Sequence, residues 1–251
     1  MKPRVLITRP AGSAEKDIAA LASLGFEVIH APLIEIVFGA TPIMRSSRNA
    51  LVDTVRSTPE AVLFFSSSQA IDSMYSNVVD ADTAERLVVA VGPQTAEVAR
   101  GRGFHNVLMP KSDFTVSGLI EVARSLPATV AVVPRSSQSP ATVTNALQSA
   151  GWTLVSAVTY ETRTVADRPS EIDHVVAGEF AAVVVRSGSA VRALAELTQG
   201  KVPLSTAIIA GGTSTAAAIK DAGLHLTAIA SEPDAQNIAR AVFDAVGEGK
   251  S

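Results

Sequence analysis

The 251-residue chain contains no cysteine, which excludes disulfides, thiolate catalysis and cysteine-based metal sites. Aromatic residues are also scarce, at 4% against 47% hydrophobic. With Ala and Val prominent, that balance favours buried parallel strands covered by helices over an aromatic-rich β sandwich. Neither sign of charge is in large excess: the formal net charge is −3, and Lys and Arg are scattered singly. No basic stripe exists to neutralise a phosphate backbone, so nucleic acid is not an expected partner. Long apolar runs are missing too. The stretch between Arg4 and Arg9 is too short for a signal peptide or a membrane span, and a cytoplasmic chain with no membrane partner is expected. Cofactor fingerprints are absent: no G-x-G-x-x-G follows the first strand, no G-x-x-x-x-G-K-[ST] occurs, and Gly211-Gly212-Thr213 has the spacing of neither. His30, His105, His174 and His225 show no metal-binding spacing, so no metal is expected. A G-x-S-x-G nucleophile elbow is missing as well, the nearest feature being Arg186-Ser187-Gly188-Ser189.

What is present is a regular alternation of short β-branched runs with helical stretches, the mark of parallel α/β sheets. The strand candidates are 5–8, 26–31, 61–66, 87–91, 106–109, 129–134, 153–158, 181–186, 206–210 and 226–230. Ten strands divide into two five-stranded sheets, in keeping with a length that suits two small domains. Helix starts carry capping residues at Ser13, Ser68, Pro93, Ser139, Ser189, Thr213 and Asp234.

The chain also repeats itself. Phe65-Ser66-Ser67-Ser68-Gln69-Ala70-Ile71 returns as Val185-Arg186-Ser187-Gly188-Ser189-Ala190-Val191, and Val91-Gly92-Pro93-Gln94-Thr95-Ala96 as Gly211-Gly212-Thr213-Ser214-Thr215-Ala216, both at an offset of 120. Arg9, Ser13, Leu21 and Gly25 match Arg135, Ser139, Leu147 and Gly151 at an offset of 126. Two offsets imply a duplication in which one lobe is discontinuous. Residues 1–37 complete the lobe built from 163–251, residues 42–158 form the other, and 38–41 and 159–162 are the crossings. The expected fold is α/β: two flavodoxin-like, doubly wound parallel-sheet lobes joined by a two-stranded β hinge, with a small molecule held in the cleft between them.

Several residues could carry chemistry, each with a plainer reading beside it. Ser67, Ser68 and Gln69, and likewise Ser187, Gly188 and Ser189, lie where a strand ends and a helix begins; they could cradle an anion or simply cap the helix. Thr95, Thr213 and Thr215 sit in the first turns after Gly92 and Gly212, facing a ligand or satisfying local backbone. Arg9 and Arg135 end equivalent strands and could meet a substrate carboxylate or a nearby acidic side chain. Tyr160 falls on the second crossing, as a proton donor or as a half-buried strand aromatic.

Taken in order, Thr8-Arg9-Pro10, Phe65 to Ile71, Ala90 to Ala96, Pro110 with Phe114 and Ser117, Pro134-Arg135, the strand from Gly151 to Tyr160, and Gly211 to Ala216 resemble the uroporphyrinogen-III synthase family over nearly the whole chain. The departures are Gln69 for a common Asn, Ser66 for a common Thr, and Val185-Arg186 for a common Phe-Thr. The resemblance implies a monomeric, cofactor-free enzyme of heme biosynthesis. Its substrate would be hydroxymethylbilane, handed over by the preceding pathway enzyme. The substrate loses water, inverts its terminal pyrrole ring through a spiro intermediate and closes to a macrocycle. The resemblance also implies that Tyr160 assists departure of the hydroxyl. The competing reading is a non-catalytic bilobal module that binds a tetrapyrrole or small anion for regulation.

Overall fold

A computed structural model describes residues 2–248. The chain runs β1 (Arg4–Ile7), α1 (Glu15–Ser23), β2 (Glu27–His30), β3 (Ile34–Phe38), α2 (Pro42–Ser57), β4 (Val62–Phe65), α3 (Ser68–Met74), α4 (Ala81–Ala84), β5 (Leu87–Ala90), α5 (Pro93–Gly101) and β6 (Asn106–Leu108). It continues through α6 (Val116–Arg124), β7 (Val130–Ser136), α7 (Thr142–Ser149), β8 (Thr153–Thr164), α8 (Glu171–Val176), β9 (Ala182–Val185), α9 (Gly188–Thr198), β10 (Ala207–Ala210), α10 (Thr213–Asp221), β11 (Ala228–Ile229) and α11 (Ala235–Glu248). Among the described residues two compact units result, one of 2–35 with 163–248 and one of 36–162.

In the first unit the strand order is β11-β10-β9-β1-β2. The β1 strand lies parallel to β9, with Val5 opposite Ala182 and Ile7 opposite Val184. Because successive strand side chains point to opposite faces, Leu6, Val183, Val185, Ile208 and Ala210 pack beneath α8, α9 and α10. Val5, Ile7, Ala182, Val184 and Ile209 pack against α1 and α11. Both faces are thereby covered, which is why β9 and β10 read as unbroken apolar runs.

In the second unit the order is β3-β8-β7-β4-β5-β6. Leu63, Phe65, Val88 and Val132 face α2, α3 and α5, while Val62, Phe64, Val89, Ala131 and Val133 face α6 and α7. Phe64 packs edge-on against Trp152, with ring centroids 5.1 Å apart. This sheet has six strands, not five: residues 34–38, running into the expected crossing at 38–41, form an edge strand beside β8, and Gly39 N–H donates to Thr159 O.

The repeat is visible in backbone detail. Gly25 and Gly151, 126 positions apart, follow α1 and α7 with φ of +89° and +88°. That left-handed conformation ends a helix cheaply only for glycine. Ser67 and Ser187, 120 apart, are extended N-caps whose hydroxyls accept from Ala70 N–H and Ala190 N–H at 3.3 and 3.2 Å. The capping residues are therefore Ser67 and Ser187, one position before the expected Ser68 and two before the expected Ser189, which lie inside the helices. In the order β2-β1-β9-β10-β11 the chain runs outward in opposite directions from the neighbours β1 and β9, so this unit has its topological switch point there; β7 and β4 are the counterpart in the second unit.

Candidate functional site

Ligands of open α/β sheets bind outside the carboxyl ends of the strands at a switch point, and most of the candidate residues sit at these edges. In the second unit Ser67 follows β4, and its Oγ lies 3.0 Å from Tyr160 Oη. Tyr160 stands opposite Ser136 in the β7–β8 register. Its side chain is part of the core with Leu63, Phe65 and Ile71 and is only 6% exposed. Burial pushes its phenol pKa above the ordinary value, with the Ser67 bond pulling weakly the other way, so the group is a neutral acid. Phe38 places its ring 6.2 Å from that of Tyr160 and is itself exposed. Ser68 and Gln69 open α3 and are half-buried.

Arg135, at the end of β7, donates through Nε to Ser156 Oγ (3.1 Å) and through Nη1 to Ser139 O (3.4 Å). Its partners are serine and backbone, not carboxylate. Thr95 is the third residue of α5, and Thr215 holds the same place in α10. Both are buried, at 5% and 3% exposure. Their helices begin at Gly92 and Gly212, which offer no side-chain cap. No capping side chain therefore takes up the first-turn amides of either helix, and Pro93, first in α5, has no amide to offer. Thr213 opens α10 and is exposed.

The first unit differs. Ser187 caps α9 and pairs with Ser189 Oγ at 3.0 Å, with Gly188 as the first helical residue. Arg9, after β1, reaches Asp17 Oδ2 with Nη1 at 3.4 Å. Arg186, after β9, sets Nη1 2.9 and 3.0 Å from the two oxygens of the same carboxylate and donates through Nη2 to Pro233 O. Asp17 is fully buried. Burial, followed by the charge of Arg186, lowers the pKa of Arg9, and Asp17 raises it. The histidines do not gather: His30 Nε2 meets Arg9 O, His225 Nε2 meets Thr206 O, and His105 and His174 pair with Glu85 and Glu179. Among the described residues no group of three or more His, Cys, Asp or Glu could hold a metal ion.

A family model described as Uroporphyrinogen-III synthase HemD matches residues 15–240. The chain belongs to the uroporphyrinogen-III synthase family. Among curated proteins no sequence match is found. Of solved structures, a mutant uroporphyrinogen III synthase from the extremely thermophilic bacterium Thermus thermophilus is 19% identical, covers 98% of this chain and 99% of its own, and has a TM-score of 0.62. A uroporphyrinogen-III synthetase from Helicobacter pylori is 14% identical, with 97% and 99% covered and a TM-score of 0.64. At these identities the two show that the fold is that of the synthases.

Two residues escape sequence reasoning as members of a site, Asp17 on α1 and Phe38 at the end of β3, while Arg186 was legible only as part of the Arg186-Ser187-Gly188-Ser189 turn. Asp17 carried a usable signal. By the 126-residue offset its counterpart is Val143, a buried core position, and an acid standing where the repeat has a core valine needs a partner.

Proposed function

We propose that the chain converts hydroxymethylbilane to uroporphyrinogen III. The carrying observation is the family match across residues 15–240. In the reaction, the hydroxyl on the terminal methylene takes a proton and leaves as water, giving a cationic azafulvene. The substituted α-carbon of the last pyrrole attacks it to form a spiro ring. That ring fragments, the released azafulvene recombines at the other α-carbon, and a proton is lost to restore aromaticity. One water leaves and nothing is oxidised. The leaving hydroxyl departs easily because the pyrrole nitrogen lone pair stabilises the cation, so no cofactor is needed and the protein's task is to hold a flexible chain in one geometry.

Tyr160 is the proposed acid. A phenol kept protonated by burial has a proton to give, and Ser67, by donating its own hydroxyl hydrogen to Tyr160 Oη, leaves that proton free for the substrate. The first-turn amides of α5 and α10, with Thr95 and Thr215, suit substrate carboxylates. So do Ser67, Ser68 and Gln69 after β4, and Ser187, Gly188 and Ser189 after β9, with Thr213, Arg9 and Arg135 as further contacts. We read the enzyme as a cytoplasmic monomer supplied by the enzyme that makes the linear tetrapyrrole; size-exclusion chromatography at micromolar concentration would expose a dimer. No helix among the described residues is long and apolar enough to cross a membrane. Incubation with hydroxymethylbilane, oxidation of the products and separation of type I from type III isomers tests the reaction itself.

A further inference from the structure

We infer that Arg9 and Arg186, tied together by the buried Asp17 at the switch point of the first unit, bind one acetate or propionate group of the tetrapyrrole. The inference rests on the reaction proposed above. Its physical basis is an incomplete pairing. Two guanidiniums share one carboxylate: Arg186 takes both oxygens, while Arg9 has a single long contact of 3.4 Å and keeps most of its donors. Asp17 is entirely inside, while the side chains of Arg9 and Arg186 are 22% and 20% exposed. The positive charge is under-compensated at Arg9, where burial and Arg186 outweigh Asp17. An arriving carboxylate supplies what is missing, and a guanidinium's planar fork matches it. Glu15 near Arg9 and Asp234 near Arg186 are exposed, and solvent screens them.

The trio is not something this fold requires. In the second unit the positions equivalent to Asp17 and Arg186 are Val143 and Ser66, and Arg135 pairs with serine and backbone. Room for Arg186 is also specific: a Cβ on Gly211 would lie 3.0 Å from Arg186 Cγ and 3.2 Å from its Cα. Nη2 bonded to Pro233 O fixes the guanidinium plane. Duplicated units have thus diverged at one edge, and the first has gained a fixed cationic pair.

Uroporphyrin III, the oxidised macrocycle with eight free carboxylates, and its octamethyl ester serve as probes. Their binding is titrated by fluorescence in wild type and Arg186→Gln at about 50 and about 500 mM salt, which spans strong and weak screening. The expected result is octacarboxylate affinity about tenfold weaker in the variant at low salt, a gap that narrows at high salt, and ester binding the same in both. Circular dichroism establishes that the variant is folded. Should it not fold, Arg9→Gln, which leaves the two-oxygen pair of Arg186 with Asp17 intact, is measured in the same way. Wild-type affinity in a folded variant across the salt range overturns the site. Formation of type III isomer by wild type is assayed separately, so failure of the site and failure of the reaction give different results.

Discussion

Replacing Tyr160 with Phe removes one oxygen from a side chain that is 6% exposed and leaves its ring packed with Leu63, Phe65 and Ile71. Two effects follow, and they are separable. The lost bond to Ser67 is a neutral hydrogen bond, worth about 1 kcal/mol net. Ser67 still accepts from Ala70 N–H and is only half-buried, so water can take the vacated position. The melting temperature should fall by about 2–4 °C. The second effect is on rate. General-acid help is typically about 10²- to 10⁴-fold, but this leaving group departs easily, so kcat should fall about tenfold or less, equivalent to about 1.4 kcal/mol at most. A donor that acts chiefly in the transition state should leave KM within about twofold. Steady-state kinetics with product isomers resolved, run beside thermal unfolding, gives both numbers. An unchanged kcat in folded enzyme that melts lower would make Tyr160 a structural aromatic and refute the assignment.

Thr95→Val and Thr215→Val, singly and together, should raise KM several-fold and leave kcat within about twofold, since these hydroxyls would hold substrate in ground and transition states alike; steady-state kinetics decides. Stability should decline as pH rises above about 10: burial raises the phenol pKa values of Tyr75 and Tyr160, so the unfolded chain releases protons that the folded chain retains. Each tyrosine contributes a slope of up to about 1.4 kcal/mol per pH unit. Denaturant unfolding at about pH 8, 9.5 and 11, on either side of the free phenol pKa, measures the slope, which Tyr75→Phe should reduce.

The alternation of apolar runs with helical stretches made the α/β class legible, because strands buried on both faces have little choice of residue. The offsets of 120 and 126 were legible because the duplicated turns need small, capping or positive-φ residues at fixed places, as at Ser67 and Ser187 or Gly25 and Gly151. The pairing of the two β segments at the crossings was legible too, and β3 at 34–38 lies beside β8, but the count of six strands in that sheet was not. Nor was the cap position, which depends on where the strand stops. The Ser67–Tyr160 contact spans 93 residues and arises only from β4 and β8 flanking β7. Arg186 was visible in the Arg186-to-Ser189 turn and as a departure from the family, but its partner Asp17, 169 residues away, whose carboxylate it grips, was not.

The reaction itself is tested most directly by the isomer composition of the product. Metal-free, nucleotide-free protein given hydroxymethylbilane should yield uroporphyrinogen III, read after oxidation as predominantly type III porphyrin, with no loss of activity on adding a chelator. Predominantly type I porphyrin, the product of head-to-tail closure without inversion, or activity abolished by the chelator, would contradict the account.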